Sequence, residues 1–479
     1  MPKAFIVLAA FLGTGAALLG PGSTPVSICE LPVCSCIGTK LECRCDPRIQ
    51  NLALRSGGHD HLPPSLSSIA VSSCAKVIVS SKAIELLQAL RTVTFQNIDH
   101  IELHEQAFSW NTTKVLDSYP YPGIDIHVYN STIPTIPSDA FRGHLNSVSF
   151  ENTRIVHIRA LAFSNIAGME KLEFINSDIG TVEPQAFKKF ILDSFIIRGG
   201  EFDSLPSYSI SLTVKKNLKL SHVYFDYVKS SAFRVEGPST FRIEGTIIGH
   251  LEGDAFKIVT RGPVFIDDNV FKNVANGAFA GVTLDPRVQS YSGRQELIFE
   301  NNTLFKFEDY ALIFNTSGLK PKIDRLTLDQ KCSCIDIKTW STRLIKYTAN
   351  PVPADLNKLI WCSTSKDIFS VASDYERVHC TSNSTKVYWV ISLLIVTLLA
   401  LILICSIGFW LFRRHAKRYM NVPTNDVINN RLSVHSTHSN HIIVIPEGKT
   451  YRETELHIIE ERLEPIKEYV PPQSVSQPI

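Results

Sequence analysis

The sequence predicts a solenoid of stacked parallel strands, and three periodic patterns predict it. An Ala-Phe pair returns about every 23 residues, at Ala140-Phe141, Ala162-Phe163, Ala186-Phe187, Ala232-Phe233, Ala255-Phe256 and Ala278-Phe279. Ahead of each pair stands an apolar-x-x-apolar step, such as Ile155/Ile158, Ile179/Val182, Phe202/Leu205 and Phe225/Val228. Further ahead stands an apolar-x-apolar step: Val148/Phe150, Leu172/Phe174, Phe195/Ile197, Leu218/Leu220, Phe241/Ile243 and Val264/Ile266. The long gap from Phe187 to Phe233 spans two periods, with Ser209-Ile210 standing where a degenerate pair falls.

Each element has a physical reason. The apolar-x-apolar triplet is a brief strand, with two side chains on one face and the middle one on the other. A single such strand cannot bury its apolar face, but a stack of them can, and the later apolar step and Ala-Phe pair close the coil around the shared core. The small Ala lets the chain pass close inside while Phe fills the interior. Five residues after each triplet begins lies a small or polar residue: Ser131, Thr153, Ser177, Gly200, Thr246, Asn269 and Asn302. There it can bond backbone groups that a tight turn leaves unpaired. Val223 breaks this run.

The order L-x-L-x-x-(N/T/S)-x-L-x-x-L followed by A-F resembles the leucine-rich repeat over roughly Thr92 to Leu328, with Phe, Ile and Val often replacing Leu. The resemblance implies an α/β solenoid, a horseshoe with one short strand per coil on its concave face and disulfide-stapled caps. Two connections are longer than a period, and Ser109–Tyr121 and Asp285–Arg294 read as excursions from the coil. Cys332, Cys334, Cys362 and Cys380 resemble the carboxy-terminal cysteine cap of extracellular members of this family. Cys29, Cys34, Cys36 and Cys43 resemble the amino-terminal one, and Cys45 and Cys74 are left to pair with each other. Caps at both ends cover the apolar cross-section that a solenoid exposes. Zinc ligation by the Cys-x-Cys pairs is the rival reading, and the secretory features below stand against it.

Lys3 followed by the apolar run Ala4–Leu19 is a signal-peptide pattern. The charge-free run Val387–Phe412 is long enough to cross a bilayer. Arg413, Arg414, Lys417 and Arg418 follow it, which places the carboxyl end in the cytoplasm. The predicted organisation is a signal peptide (1–24), an amino-terminal cysteine-rich cap with the first degenerate repeats (25–91), repeats (92–328), a carboxy-terminal cysteine cap (329–381), a stalk (382–386), one transmembrane helix (387–412) and a mostly disordered tail (413–479). This describes a type I plasma-membrane protein with its amino terminus outside. Asn111, Asn130, Asn301, Asn315 and Asn383 each begin a glycosylation sequon on the outer side.

Catalytic and cofactor signatures are not found. Gly13-Thr14-Gly15 falls inside the signal peptide, and His59-Asp60-His61 reads as a solvated loop before Pro63-Pro64. No metal or cofactor is expected. Parallel β-helix enzymes acting on polysaccharides repeat at a similar period, but their chemistry needs carboxylates and a base converging on neighbouring rungs. The outward rows can be aligned as Thr94, His127, Ser149, Glu173, Ile196, Lys219, Arg242, Phe265, Ile298, Thr327, and as Gln96, Tyr129, Glu151, Ile175, Arg198, Ser221, Glu244, Asp267, Glu300, Asp329. Carboxylates occur there without a compact acid–base or metal-binding group.

Those rows instead outline a binding face. Arg198, Lys219 and Arg242 fall on successive rungs as a basic belt, with Lys171 one rung earlier and acidic rungs after them at Asp267, Glu296, Glu300 and Asp329. Tyr129, Phe265 and Ile298 add exposed aromatic and apolar surface of the kind found at interface centres. An ordinary solvated surface is the plain alternative, and attraction of sulfated glycans is a further one. The tail holds Tyr469 within Glu468-Tyr469-Val470-Pro471-Pro472, a candidate docking site for a cytoplasmic adaptor. Lys and Arg total 48 against 46 Asp and Glu, a balance that gives no sign of a nucleic-acid partner. The expectation is a recognition or adhesion receptor for an extracellular protein or glycan, including a second copy of itself. A membrane-tethered matrix organiser is the alternative.

Overall fold

The computed structural model describes residues 27–45, 51–58, 60–110, 123–349, 355–365 and 368–419. The signal peptide, Asn111, Tyr469 and the tail after Tyr419 lie outside the described residues. The chain forms two compact units, Met1–Thr397 with the solenoid and Leu398–Ile479 with the latter part of the apolar helix.

The first unit is a β-solenoid whose coils carry strands on three faces. On the first face the apolar-x-apolar triplets pair in parallel, Val148/Phe150 against Leu172/Phe174, Phe195/Ile197, Leu218/Leu220, Phe241/Ile243 and Val264/Ile266 in turn. The same ladder runs back through Ile124–Tyr129, Thr92–Gln96 and Ser68–Ser72 to Lys40–Arg44, so coils begin inside the 25–91 region expected to hold the cap and the first degenerate repeats. On the second face Arg154–Ile158, Tyr224–Val228, Ile247–Leu251, Val270–Val274 and Thr303–Phe307 stack in the same sense. The third face opens on each Ala-Phe pair, with Phe163–Ala167, Phe233–Glu236 and Phe256–Thr260 among its strands.

The expected single strand per coil is therefore corrected to three. Among the described residues from 51 to 331, α-helix is confined to Pro286–Ser292, within the second excursion. The reason lies in the connections. Only Arg159–Ala162 separate the strand ending at Ile158 from the one beginning at Phe163, too few residues for a helix. Phe and β-branched residues fill the steps on either side and favour a pleated surface.

Left-handed corners let the chain turn so tightly. One row, Asn97, Asn130, Asn152 and Asn176, has φ of 46–53° and uses a residue type that tolerates this conformation. A second row stands just ahead of the Ala-Phe pairs, at Asp139, Leu161, Gln185, Tyr208, Ser231 and Asp254. Leu161 and Tyr208 are held there by the stack: their N–H groups donate to Gln185 O and Ser231 O, each at 2.9 Å. Glycine is required at Gly200, where φ is +76° and an added Cβ would lie 2.1 Å from Ser177 O.

The core between the faces is dry and aromatic. The Ala and Phe of each pair are fully buried, and so are Ser209 and Ile210 at the degenerate pair. Phe rings from successive coils stack with centroids 5.1 Å (Phe108–Phe141), 4.5 Å (Phe141–Phe163) and 4.8 Å (Phe163–Phe187) apart. Ile210 interrupts the column, which resumes at Phe233–Phe256 and Phe256–Phe279. The small polar residues form a buried ladder that serves the corners. Ser131 Oγ accepts from Ile98 N–H at 3.0 Å, Ser177 Oγ from Thr153 N–H at 3.2 Å, and Asn269 Oδ1 from Thr246 N–H at 2.9 Å. At these corners the backbone donor turned inward meets a side-chain acceptor from the next coil, while Gly200 and Val223 supply none.

Both ends are covered. Cys34 and Cys43 face each other across an antiparallel hairpin and are bonded; Cys29–Cys36 and Cys45–Cys74 complete the amino-terminal set. At the other end Cys332–Cys362 and Cys334–Cys380 clamp the helix Cys334–Arg343, which buries Ile337 and Trp340 against the last coil. All ten cysteines expected in the caps are thus paired as disulfides. A helix follows directly from Cys380 and runs Thr381–Tyr419, so the residues read as a stalk, with Asn383 among them, are helical. Its stretch Val387–His415 contains an 18-residue window of mean hydropathy 3.1 and is long and apolar enough to cross a membrane. With the disulfides, it indicates a membrane or extracellular protein.

Candidate functional site

The first face brings the candidate ligand residues into register. Ile196, Lys219, Arg242, Phe265 and Ile298 stand side by side on consecutive strands, their side chains outward between the buried apolar pairs. Tyr129 belongs to the row that holds Glu151, Ile175, Arg198, Ser221 and Glu244. Neighbouring rungs are about 4.8 Å apart, so adjacent outward side chains touch. Tyr129 stands three rungs before Arg198 and five before Arg242. It stacks instead on His127, with ring centroids 6.0 Å apart.

The aligned rows hold from Thr94 and Gln96 through Ile298 and Glu300, but their last members are corrected. Ile298 pairs with Lys322 and Glu300 with Asp324, while Thr327 belongs to the second face. Pro321 takes the inward slot opposite Leu297, where an apolar-x-apolar pattern needs a branched side chain. The sequence pattern therefore slipped forward to Leu326/Leu328. A strand can hold Pro where its missing N–H is not needed for the ladder.

The belt is not a field of free cations. Lys219 Nζ lies 3.1 Å from Glu244 Oε2, and Arg242 Nη1 lies 2.9 Å from Asp267 Oδ2 and 4.0 Å from Glu244. The Arg242 guanidinium also sits 4.3 Å from the centre of the Phe265 ring. Arg198 is exposed, and among the described residues no carboxylate lies within ion-pair reach of it. The site is thus a salt-bridged lattice, with Arg198 open on one side and Phe265 and Ile298 half-exposed on the other.

Two carboxylates in the lattice titrate in opposite senses. The Lys219 ammonium holds Glu244 below the ordinary glutamate value of 4.5. Burial pushes Asp267 up from 3.8, and its Oδ1 meets no hydrogen-bond donor among the described residues. For Glu244 the folded pKa lies below the unfolded one, so its contribution is present above pH 4.5 and lost as pH falls through the folded value. Glu244→Gln should therefore melt lower than the parent at neutral pH, with the difference closing in acid. Melting curves at neutral pH and well below 4.5 check this. A gap that stays constant would mean the ion pair contributes nothing.

A second set of charged residues escaped the sequence reading. Glu183, Glu252 and Glu308 each follow a second-face strand, and each accepts from a backbone N–H of the preceding coil, at Ala160 (2.8 Å), Ser230 (2.8 Å) and Asn276 (2.9 Å). Their recurrence one residue after the apolar step was the available signal. Glu252 also accepts from Tyr227 Oη at 2.8 Å, and Tyr227 stacks on His250 along a shallow groove that continues to Asn273 and Lys306. Among the described residues, no three His, Cys, Asp or Glu side chains are grouped to hold a metal.

The sequon residues fall at different places. Asn130 and Asn301 occupy left-handed corners after first-face strands, exposed, with their amides donating to Asn97 Oδ1 and Asp268 Oδ1. Asn315 Oδ1 accepts from the backbone N–H of Ser317 at 3.1 Å in a turn beside the third face. Comparison with known proteins adds no identity: no family model matches the chain, and no curated protein matches it in sequence.

Proposed function

We propose that this is a single-pass cell-surface receptor or adhesion protein of the leucine-rich-repeat type. In this reading the first face of the solenoid binds an extracellular protein or glycan. The observation that carries it is the first-face row, which sets the open cation Arg198 beside the half-exposed Ile175 and Ile196 and continues through Lys219 and Arg242 to the half-exposed Phe265 and Ile298 three and four rungs along. Anchoring by the helix Val387–His415, with Arg413 and Arg414 at its carboxyl side, supports a type I orientation in the plasma membrane. Sequon glycans then lie outside, and the tail reaches cytoplasmic adaptors through Tyr469. The solenoid can also recognise a second copy of itself, since complementary charges share one face.

The test uses a soluble probe, Cys29–Thr385, added to cells expressing the full chain, with probes carrying Arg198→Glu or Phe265→Ala in parallel. Neither residue anchors the core, so both probes should fold. Binding by the parent probe that both variants lose is the expected result. Binding that survives in both variants removes this face from the function.

A further inference from the structure

The third face carries a second line of cations, and these lack the partners that neutralise the first-face belt. Ser164, Lys188, Ser211, Arg234 and Lys257 stand in register on consecutive strands, and Arg142 precedes them across an irregularity in the pairing of its strand with Phe163–Ala167. The four cations point outward, because the residue before each is a buried Phe of the column, whereas the Ser164 hydroxyl is buried and donates to Asp139 Oδ1. Arg142 and Lys188 are half-buried, with stems lying on the sheet, while Arg234 and Lys257 are exposed. Among the described residues none of the four cations is within ion-pair distance of a carboxylate. Lys188 Nζ is held by the neutral Gln185 Oε1 at 2.6 Å. Some other cations near this face are compensated, Lys215 and Lys216 by Asp193 and Arg261 by Asp285, while the exposed Lys189 beside Lys188 is within ion-pair distance of no carboxylate among the described residues. Glu236, two residues beyond Arg234 on the adjacent outward row, makes no ion pair with it.

The geometry is that of a ruler. The strand repeat of about 4.8 Å places Lys188 and Arg234 about 10 Å apart across Ser211, with Lys257 one step beyond Arg234 and Arg142 two coils before Lys188. A line of cations separated by whole multiples of the strand repeat, on a surface whose backbone groups are already paired, suits a linear polyanion with regularly repeated charges. The row itself holds no aromatic ring, which single-stranded nucleic acid would use for base stacking. It also lacks the exposed apolar residues by which a membrane-surface element inserts. Disulfide caps at both ends belong to an oxidising compartment, where sulfated glycans are the abundant linear polyanions.

We infer that the third face is a binding site for a linear sulfated glycan, read along Arg142, Lys188, Arg234 and Lys257. This goes beyond recognition through the first face and shares with it only the outward placement of the solenoid.

The experiment uses the purified full chain in nanodiscs of neutral lipid. The probes are a heparin-derived dodecasaccharide, its desulfated form, single-stranded DNA of similar charge, and phosphatidylserine vesicles. The parent should bind the heparin probe, with affinity falling about twenty- to fiftyfold between about 50 and 150 mM salt as expected for four neutralised anions. The quadruple variant R142Q/K188Q/R234Q/K257Q should lose that binding and most of the salt slope. Its melting temperature, measured in parallel, shows that the fold is kept; if it is not, the double variant R234Q/K257Q at the two exposed positions takes its place. The quadruple variant should keep the cell binding that Arg198→Glu loses in the first-face test, which separates failure of this site from failure of the first face. Unchanged heparin binding in a folded variant overturns the inference. Equal binding of DNA, of vesicles or of the desulfated glycan overturns it as well.

Discussion

Phe163→Ala should destabilise the solenoid by about 3–5 kcal/mol, the range for emptying a fully buried aromatic site. Phe163 stacks 4.5 Å from Phe141 and 4.8 Å from Phe187 and meets Phe150 edge-on. Its loss opens the column on both sides at once. The surrounding coils cannot collapse into the gap, because their separation is fixed by the strand hydrogen bonds on three faces. Phe265→Ala is the control: that ring lies outward and loses contact chiefly with Arg242, worth about 0.5–1 kcal/mol. Urea melts followed by tyrosine and tryptophan fluorescence would rank the two. Similar midpoints for both variants would mean that the aromatic column is not the stabilising element.

Asn302→Leu is expected to be nearly as damaging, for a different reason. Asn302 Oδ1 accepts from the backbone N–H of Asn269 at 3.1 Å and from its Nδ2 at 3.0 Å, and Asn302 Nδ2 donates to Ile266 O at 2.7 Å. Both asparagines are buried. Leucine keeps the volume but strands two donors and one acceptor in a dry corner, at about 1–3 kcal/mol for each group left unsatisfied. The opening should be local, so hydrogen exchange read by mass spectrometry over residues 243–307 is the sharper measurement. Protection equal to the parent across that segment would count against the ladder. Asn302→Asp keeps an acceptor and should retain more protection than Asn302→Leu.

Much of this architecture was legible because a solenoid writes its packing into sequence at constant phase. The three apolar signals mark the three inward-facing faces, and even the degenerate Ser209-Ile210 falls in place. Strand number per coil was not legible. A step such as Ile155-Val156-His157-Ile158 is equally compatible with an irregular crossover, and only pairing with Ile179 and Val182 shows it to be a strand. The final rung was misplaced because Pro321 occupies an inward slot that the pattern reserves for Leu, Ile, Val or Phe. The candidate site was legible as a row of residues but not as an electrostatic state. The spacing of Lys219 and Arg242 brought them together, while their neutralisation by Glu244 and Asp267 depends on rotamers reaching across rungs. The third-face cations were not legible because only the Ala-Phe pair repeats there, while the residue after it varies, with Arg, Ser and Lys among the types found.

The constant register has a consequence for how such a chain can change through inheritance. Ile210 and Phe233 occupy equivalent places on adjoining coils, as do Ser211 and Arg234. Excising Ile210–Ala232, or copying it in tandem, would leave every remaining residue on its own face and alter just the junctions where new neighbours meet. A deletion of one residue in a strand would instead turn the following side chains to the opposite side. Whole turns are therefore the natural quantum of variation, and each one gained or lost moves the two capped ends by about 4.8 Å. Descendants of this chain can thus differ in reach while keeping the same caps, the same anchor and the same interior.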